Sequence, residues 1–281
     1  MILVFGKTGQ VASELAKHPE VECLGRDRAD LSDPAACAAT IRTMLPNAVI
    51  NAAAYTAVDK AEEEEELATV INAEAPAAMA QACSILGIPF VTISTDYVFS
   101  GDGTTPWAHD DVTGPLGAYG RSKLAGERAV QKIGGRFAVL RTSWVVSAHG
   151  NNFVKTMLRL AETRDNLTVV ADQIGGPTAA RDIATACISI AMALESEAQK
   201  SGVYHYASTP DTSWADFARA IFEQAGVDCQ VSDIPSSAYP TTAVRPLNSR
   251  LDCESTNTAF GLGRPDWRVS LTEILDDLKQ R

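Results

Sequence analysis

The chain lacks most of what would make it a nucleic-acid, membrane or metal protein. Cations are in deficit: 24 Lys and Arg stand against 35 Asp and Glu, a formal net charge of -11. Proteins that neutralise phosphate backbones gather basic residues on one face, so no nucleic-acid partner is expected. Long hydrophobic runs are missing as well. A membrane helix needs about 18 or more consecutive apolar residues, and the richest stretch, Ile183–Leu194, is broken by Thr185 and Ser189. It reads as a buried helix, and no membrane partner is expected. Met1 runs directly into Ile2–Phe5 with no basic leader and no small-residue cleavage site, which points to the cytoplasm. The six cysteines, Cys23, Cys37, Cys83, Cys187, Cys229 and Cys253, form no C-x-x-C pair, and the four histidines are equally scattered. That pattern gives buried thiols, with neither a disulfide framework nor a zinc site.

What is present suits a large core. The 281 residues are 46% hydrophobic, and a chain of this size buries about three quarters of its unfolded surface. At roughly 150 residues per domain, two domains are expected. The first half alternates short apolar runs with helical patterns, as a parallel sheet wrapped by helices does. Ile2–Phe5, Val21–Leu24, Ala48–Asn51, Phe90–Ser94 and Ala138–Arg141 read as strands. Gly9–Lys17, Asp33–Met44, Glu62–Leu86 and the segment around Lys123 read as helices. Asp33 suits an N-cap and Pro34 a first helical position. The fold class is therefore α/β, a doubly wound parallel sheet of Rossmann type with a smaller C-terminal substrate-binding domain. Residues 1–147 make the dinucleotide-binding domain, rejoined by about 166–197. Residues 148–165 and 198–281 make the second. The run Glu62–Glu66 reads as an acidic first turn that complements a helix dipole.

Gly6-Lys7-Thr8-Gly9-Gln10-Val11-Ala12 joins the first strand to the first helix. Glycines there let the backbone turn tightly and approach a pyrophosphate, and helix N–H groups favour its charge. The spacing G-x-x-G-x-x-A also fits an ordinary tight βα turn, but its place after an N-terminal strand favours the dinucleotide. Near the end of the second strand stand Arg26, Asp27, Arg28 and Asp30. An arginine there would accommodate the 2′-phosphate of NADPH, while Asp30 and Leu31 would line the adenine. The choice between NADPH and NADH stays open, leaning towards NADPH.

Tyr119 and Lys123 lie four apart, hence on one helical face. A cation beside the phenol favours its phenolate and lowers its pKa from about 10, so the pair can move a proton to or from a carbonyl oxygen as hydride reaches the carbon. Some 25 residues earlier, Ser94-Thr95 ends a strand and offers a hydroxyl to the same oxygen. Parallel α/β sheets bind their ligands at that edge.

Together with Asn51–Glu62, Ser94–Phe99, Arg141–Trp144, Asp172–Thr178 and Arg245-Pro246, these motifs resemble the extended short-chain dehydrogenase/reductases and, within them, the dTDP-4-dehydrorhamnose reductase family. The resemblance runs almost end to end. It implies that Tyr119 is the proton donor, Lys123 its electrostatic partner and ribose ligand, and Thr95 the hydrogen-bond donor to the carbonyl. Gly6, Thr8, Gly9, Gln10, Val11, Arg26, Asp30, Leu31, Ala52, Ala53 and Ala54 would line the cofactor. Thr95, Asp96, Val58 and Trp144 would face the sugar of a dTDP-linked 4-keto substrate. A core role for Trp144 stays open, and Asn51 and Asn72 also suit loop-tying hydrogen bonds. The resemblance further implies a homodimer. Members of the family can hold Mg2+ at a dimer contact through glutamates, and Glu14 falls at a matching place. Related dehydratases carry an acidic residue after the Thr-Asp pair; here it is Tyr97, which favours simple carbonyl reduction. Two other readings compete: a reductase or epimerase of another nucleotide sugar, and a non-catalytic dinucleotide-binding subunit of the methionine adenosyltransferase type.

Overall fold

A computed structural model describes residues 1–280; Arg281, the last residue of the expected second domain, lies outside them. Strands β1 (Ile2–Phe5), β2 (Val21–Leu24), β3 (Ala48–Asn51), β4 (Phe90–Thr95) and β5 (Phe137–Thr142) pair in parallel, in the order β5-β4-β3-β1-β2. The runs of Val, Ile, Leu and Phe in β1, β3, β4 and β5 are buried on both faces, as a helix-covered parallel sheet requires, while the edge strand β2 is only partly buried. Helices α1 (Gln10–Leu15), α2 (Pro34–Met44), α3 (Glu65–Thr69), α4 (Ala75–Leu86) and α5 (Ala118–Ile133) alternate with the strands. The Asp33 carboxylate accepts the Ala36 N–H at 2.9 Å, with Pro34 at the first helical position, and α2 ends where Leu45 turns left-handed.

Two cores sandwich the sheet. One packs Val4, Ile50 and Leu140 against α7 (Ala180–Ser196); the other packs Leu3, Val49 and Phe90 against α2 and α4. A third core, built from α6 (Phe153–Ala161), α8 (Trp214–Ala225) and α9 (Trp267–Lys279), lies apart from it. Among the described residues, no helix is long and apolar enough to cross a membrane.

Strand pairing moves the expected domain boundaries. Gly202–His205, assigned from sequence to the second domain, is the sixth strand of the central sheet and pairs in parallel with β5. Asn166–Val170, assigned to the returning segment, pairs instead with Gln230–Ile234 in a separate two-stranded sheet. Both are short, half-buried strands whose partners lie far off in sequence, so local pattern does not assign them. The expected buried helix over Ile183–Leu194 is part of a longer one that begins at Ala180, after a two-residue strand at Thr178–Ala179. The expected helix Glu62–Leu86 is broken. A 3₁₀ turn at Lys60–Glu62 leads into α3, and five residues of π-helix, Val70–Glu74, join α3 to α4. Pro76 has no N–H to return to the Asn72 carbonyl, and single π turns of this kind gather at functional sites.

Candidate active site

At the carboxyl edge of β1, β3 and β4 opens a cleft of about 1060 Å³. It is lined by Gly6–Val11, Arg26, Leu31, Ala52–Val58, Thr95–Tyr97, Tyr119, Lys123 and Trp144. The structure thus brings together every expected site residue but one. Asp30 does not line the cleft: its carboxylate accepts the Ser32 N–H at 2.9 Å and sits 3.7 Å from Arg26, satisfying its own loop.

The cradle is built for close backbone approach. Gly6 has φ 119°, a conformation that L side chains avoid, and a Cβ on it would sit 3.3 Å from both Ala12 Cβ and the Ala52 carbonyl. Gly9 caps α1 without any side-chain acceptor, so the first N–H groups of the helix keep their capacity for an anion. The facing wall, Ala52–Tyr55, is tied from behind. The Asn72 Oδ1 accepts the Tyr55 N–H at 2.8 Å, and its Nδ2 donates to the Tyr55 carbonyl and the Ser122 hydroxyl, both at 3.0 Å. Asn51 likewise accepts the Ala53 N–H and donates to Thr92. Both asparagines do the loop-tying work open to them in the sequence. These small residues and bare N–H groups fit a dinucleotide.

Helix α5 carries Tyr119 and Lys123 on the face turned to the cleft. It can lie against the Asp96–Val98 turn because residue 120 is glycine; a Cβ there would collide with the Tyr97 carbonyl oxygen. Its first N–H, at Ala118, has no local cap and donates 2.8 Å to Glu62 Oε1, while Glu65 grips Arg121 with two bonds of 2.7 Å. The glutamate run is therefore partly a set of tethers on the helix that holds Tyr119. Tyr97 meets Tyr119 edge to face, ring centroids 5.6 Å apart.

The electrostatics differ from expectation. Lys123 Nζ donates to the Ile93 carbonyl at 2.7 Å and is not among the groups acting on Tyr119. Burial raises the Tyr119 phenol above its ordinary pKa, with further push from Asp96 and Tyr97 and partial relief from the adjoining Thr95 hydroxyl. The phenol stays protonated at neutral pH, and its pKa is raised where the sequence suggested a lowered one. Burial also pulls Lys123 down to about 8, against the opposing charge of Glu127. Asp96 is 2% exposed. Its Oδ1 accepts the Thr95 hydroxyl at 3.0 Å, its Oδ2 has no geometrically sound hydrogen bond, and burial pushes its carboxyl up to about 6.

Trp144 is neither a core side chain nor free. It takes φ 48° and stacks on Trp214, centroids 3.6 Å apart, and both line the cleft. Trp214 was missed from sequence; its signal was its place just after Ser213, whose hydroxyl caps α8 by accepting the Asp216 N–H at 3.0 Å. Lys7 and Tyr97, to which the sequence assigned no ligand contact, also line the cleft.

Mg2+ does not fit the residues around Glu14. That carboxylate is already held by Lys17 at 2.6 Å and His149 at 2.8 Å. Across the same depression, Arg181 bridges Glu273 and Asp277. Among the described residues, no three His, Cys, Asp or Glu side chains are gathered for a metal.

A glycine cradle, a Tyr and Lys pair on one helix and a Thr on the adjoining strand end define an extended short-chain dehydrogenase/reductase, an oxidoreductase that uses a nicotinamide dinucleotide. Residues 1–280 match the family model described as the RmlD substrate binding domain, and the chain belongs to that family, the dTDP-4-dehydrorhamnose reductases. It is 44% identical to the dTDP-4-dehydrorhamnose reductase of Sinorhizobium fredii over 98% of this chain and 96% of that one. With the Escherichia coli K12 protein of that name it shares 42% identity over 99% and 97%. A crystal structure of the Clostridium acetobutylicum reductase superposes with TM-score 0.92 at 36% identity, covering 99% of both chains. That of Bacillus anthracis, in complex with NADP, gives 0.91 at 33% identity, covering 98% of both.

Proposed function

We propose that this protein reduces the 4-keto group of dTDP-4-dehydro-6-deoxy-L-mannose to give dTDP-L-rhamnose, with NADPH as the preferred donor and NADH also accepted. The observation that carries the reading is the convergence of Tyr119, Lys123 and Thr95 on one cleft beside the Gly6–Val11 cradle. The bound nicotinamide supplies the hydride. Tyr119 gives its phenolic proton to the carbonyl oxygen, a role suited to a phenol that burial keeps protonated. Thr95 donates a hydrogen bond to the same oxygen, and Lys123 binds the ribose. Arg26 and Lys7, at the cleft mouth, suit a 2′-phosphate, which supports NADPH. Asp96, Val58 and the indole of Trp144 receive the sugar; an indole offers both an apolar face and an N–H. Tyr97 stands in the cleft where related dehydratases carry an acid, which favours simple reduction over dehydration. Two chains associate as a homodimer in the cytoplasm, each with its own cleft.

The test is NADPH oxidation with the dTDP-linked ketosugar, by wild type and by Tyr119→Phe. Wild type turns over and the variant loses at least about 100-fold in kcat, the scale of a general acid. Absence of wild-type turnover contradicts the substrate assignment, and full activity in Tyr119→Phe contradicts the assigned acid.

A further inference from the structure

We propose that Gln10 is a positioning residue: its side chain locks the loop that carries Trp144 onto the cofactor cradle, so that a bound dinucleotide readies the sugar side of the cleft. This rests on the reductive reading above, which puts the dinucleotide on the cradle and the sugar against Trp144.

Gln10 is the first residue of α1, directly after the Gly6–Gly9 turn, and the resemblance casts it as a cofactor ligand. Its side chain is engaged elsewhere. Nε2 donates to the Val145 carbonyl at 3.2 Å, while Oε1 accepts the Ser147 hydroxyl at 2.7 Å and the Asn152 Nδ2 at 3.0 Å. All three partners lie 135 to 142 residues further along the chain. What α1 offers a pyrophosphate at this position is the Gln10 backbone N–H, one of the first-turn groups with no helical acceptor.

The loop held in this way runs from one aromatic side chain to another. Trp144 precedes Val145 and stacks on Trp214; Phe153 follows Asn152 and packs on the same indole, ring centroids 4.5 Å apart. The loop is stiff in itself, because Asn152 caps α6 by accepting the Lys155 N–H at 3.3 Å and donates to the Ser147 and His149 carbonyls at 2.7 and 3.1 Å. Gln10, Trp144, Val145, Gly150 and Asn151 line one cleft. One amide therefore joins the cradle to both ends of the segment that presents Trp144.

Such a joint couples the two ligands. A dinucleotide seated on the first turn of α1 fixes the backbone of Gln10, and through its amide the loop, so less ordering is left to do when the sugar arrives. Ligands that order a shared segment bind with positive coupling even without a change of shape, and the coupling acts equally on both. A second tie, His149 to Glu14 Oε1 at 2.8 Å, holds the loop to α1 one turn further on. Loss of the Gln10 amide thus frees the cleft end of the loop and leaves the fold in place.

Titration calorimetry with dTDP-L-rhamnose, without and with saturating NADP+, reads the coupling in wild type, Gln10→Ala and Ser147→Ala. In wild type NADP+ tightens the sugar nucleotide by about fivefold or more, the scale of such couplings. In Gln10→Ala the ratio falls close to one, and in Ser147→Ala part of the way. The two substitutions together lower it no further than Gln10→Ala alone, since both act on one joint. A wild-type ratio of one, or a wild-type ratio kept in Gln10→Ala, overturns the proposal; a merely structural role for Gln10 would lower stability and leave the ratio unmoved. A second arm needs no sugar. Backbone hydrogen exchange with and without NADP+ is followed over residues 6–15 and 145–152. NADP+ protects both segments in wild type, but in Gln10→Ala it protects the cradle and not the loop. Equal loop protection in wild type and variant overturns the joint, and if Gln10→Ala does not bind NADP+, Ser147→Ala decides by the same criterion. A wild type that binds NADP+ but not dTDP-L-rhamnose contradicts only the substrate assignment.

Discussion

Two buried acids lie near the carboxyl end of β4, and their surroundings could hardly differ more. Behind the strand, Glu127 receives three bonds of 2.7 to 3.1 Å from the Arg141 guanidinium and a 2.5 Å bond from the Ser94 hydroxyl. Arg141 continues the network to the His109 carbonyl and to His205, whose imidazole burial and the guanidinium hold down at about 3. In front of the strand, Asp96 has only hydroxyls and backbone N–H groups for company. One carboxylate is neutralised, fully bonded and closed off from the cleft; the other keeps a bare oxygen and faces it. Strand alternation produces the division, since Ser94 and Thr95 point to opposite faces. The lesson is that burial does not make an acid functional; burial without a counter-ion does.

The largest expected effect comes from breaking the paired side. Arg141→Met strands Glu127 as an unpaired buried charge, and unfolding in urea registers a loss of about 3–5 kcal/mol. A loss below about 1 kcal/mol would erase the contrast. On the unpaired side the sign reverses. The folded-state pKa of Asp96 is raised from 3.8 to about 6, so the native protein binds the extra proton between those values and its stability falls as pH rises through that window. Two units correspond to about 3 kcal/mol, so Asp96→Asn is more stable than wild type by up to that amount at pH values above about 7, and matches it below about pH 4. Parallel stability curves at all pH values would mean that Asp96 is not strained. Smaller effects sharpen the cleft side. Trp214→Ala removes the stack under Trp144 and raises KM for the sugar by up to about tenfold, the worth of an aromatic pair, with kcat little changed. Smallest is Arg26→Ala. Its side chain is 78% exposed, so steady-state kinetics show the preference for NADPH over NADH shrinking by less than about fivefold, as for solvated charges.

Much of this was legible before any coordinates. The β1, β2 and β3 segments fall where their apolar runs placed them, and the Tyr119 and Lys123 spacing delivered both to one face of α5. Local features with local causes, such as the Asp33 cap and the Gly6 turn, were equally plain. What escaped depends on partners far along the chain. Gly202–His205 joins the sheet only because β5 has a free edge, and Trp214 matters only through Trp144. The break in Glu62–Leu86 arises where Pro76 and Asn72 meet, a conflict that helical periodicity hides. The direction of the Tyr119 shift was misread for a similar reason. Helical spacing puts Lys123 on the same face, but burial and the charge of Asp96, which sequence does not rank, set the direction.

The central claim, that this cleft carries hydride to C4 of the sugar while its own groups supply the proton, is tested most directly by isotope. With NADPH bearing deuterium at the transferred position of the nicotinamide, the dTDP-sugar product carries one deuterium at C4 and none elsewhere. Unlabelled product, or deuterium at any other carbon, would contradict it.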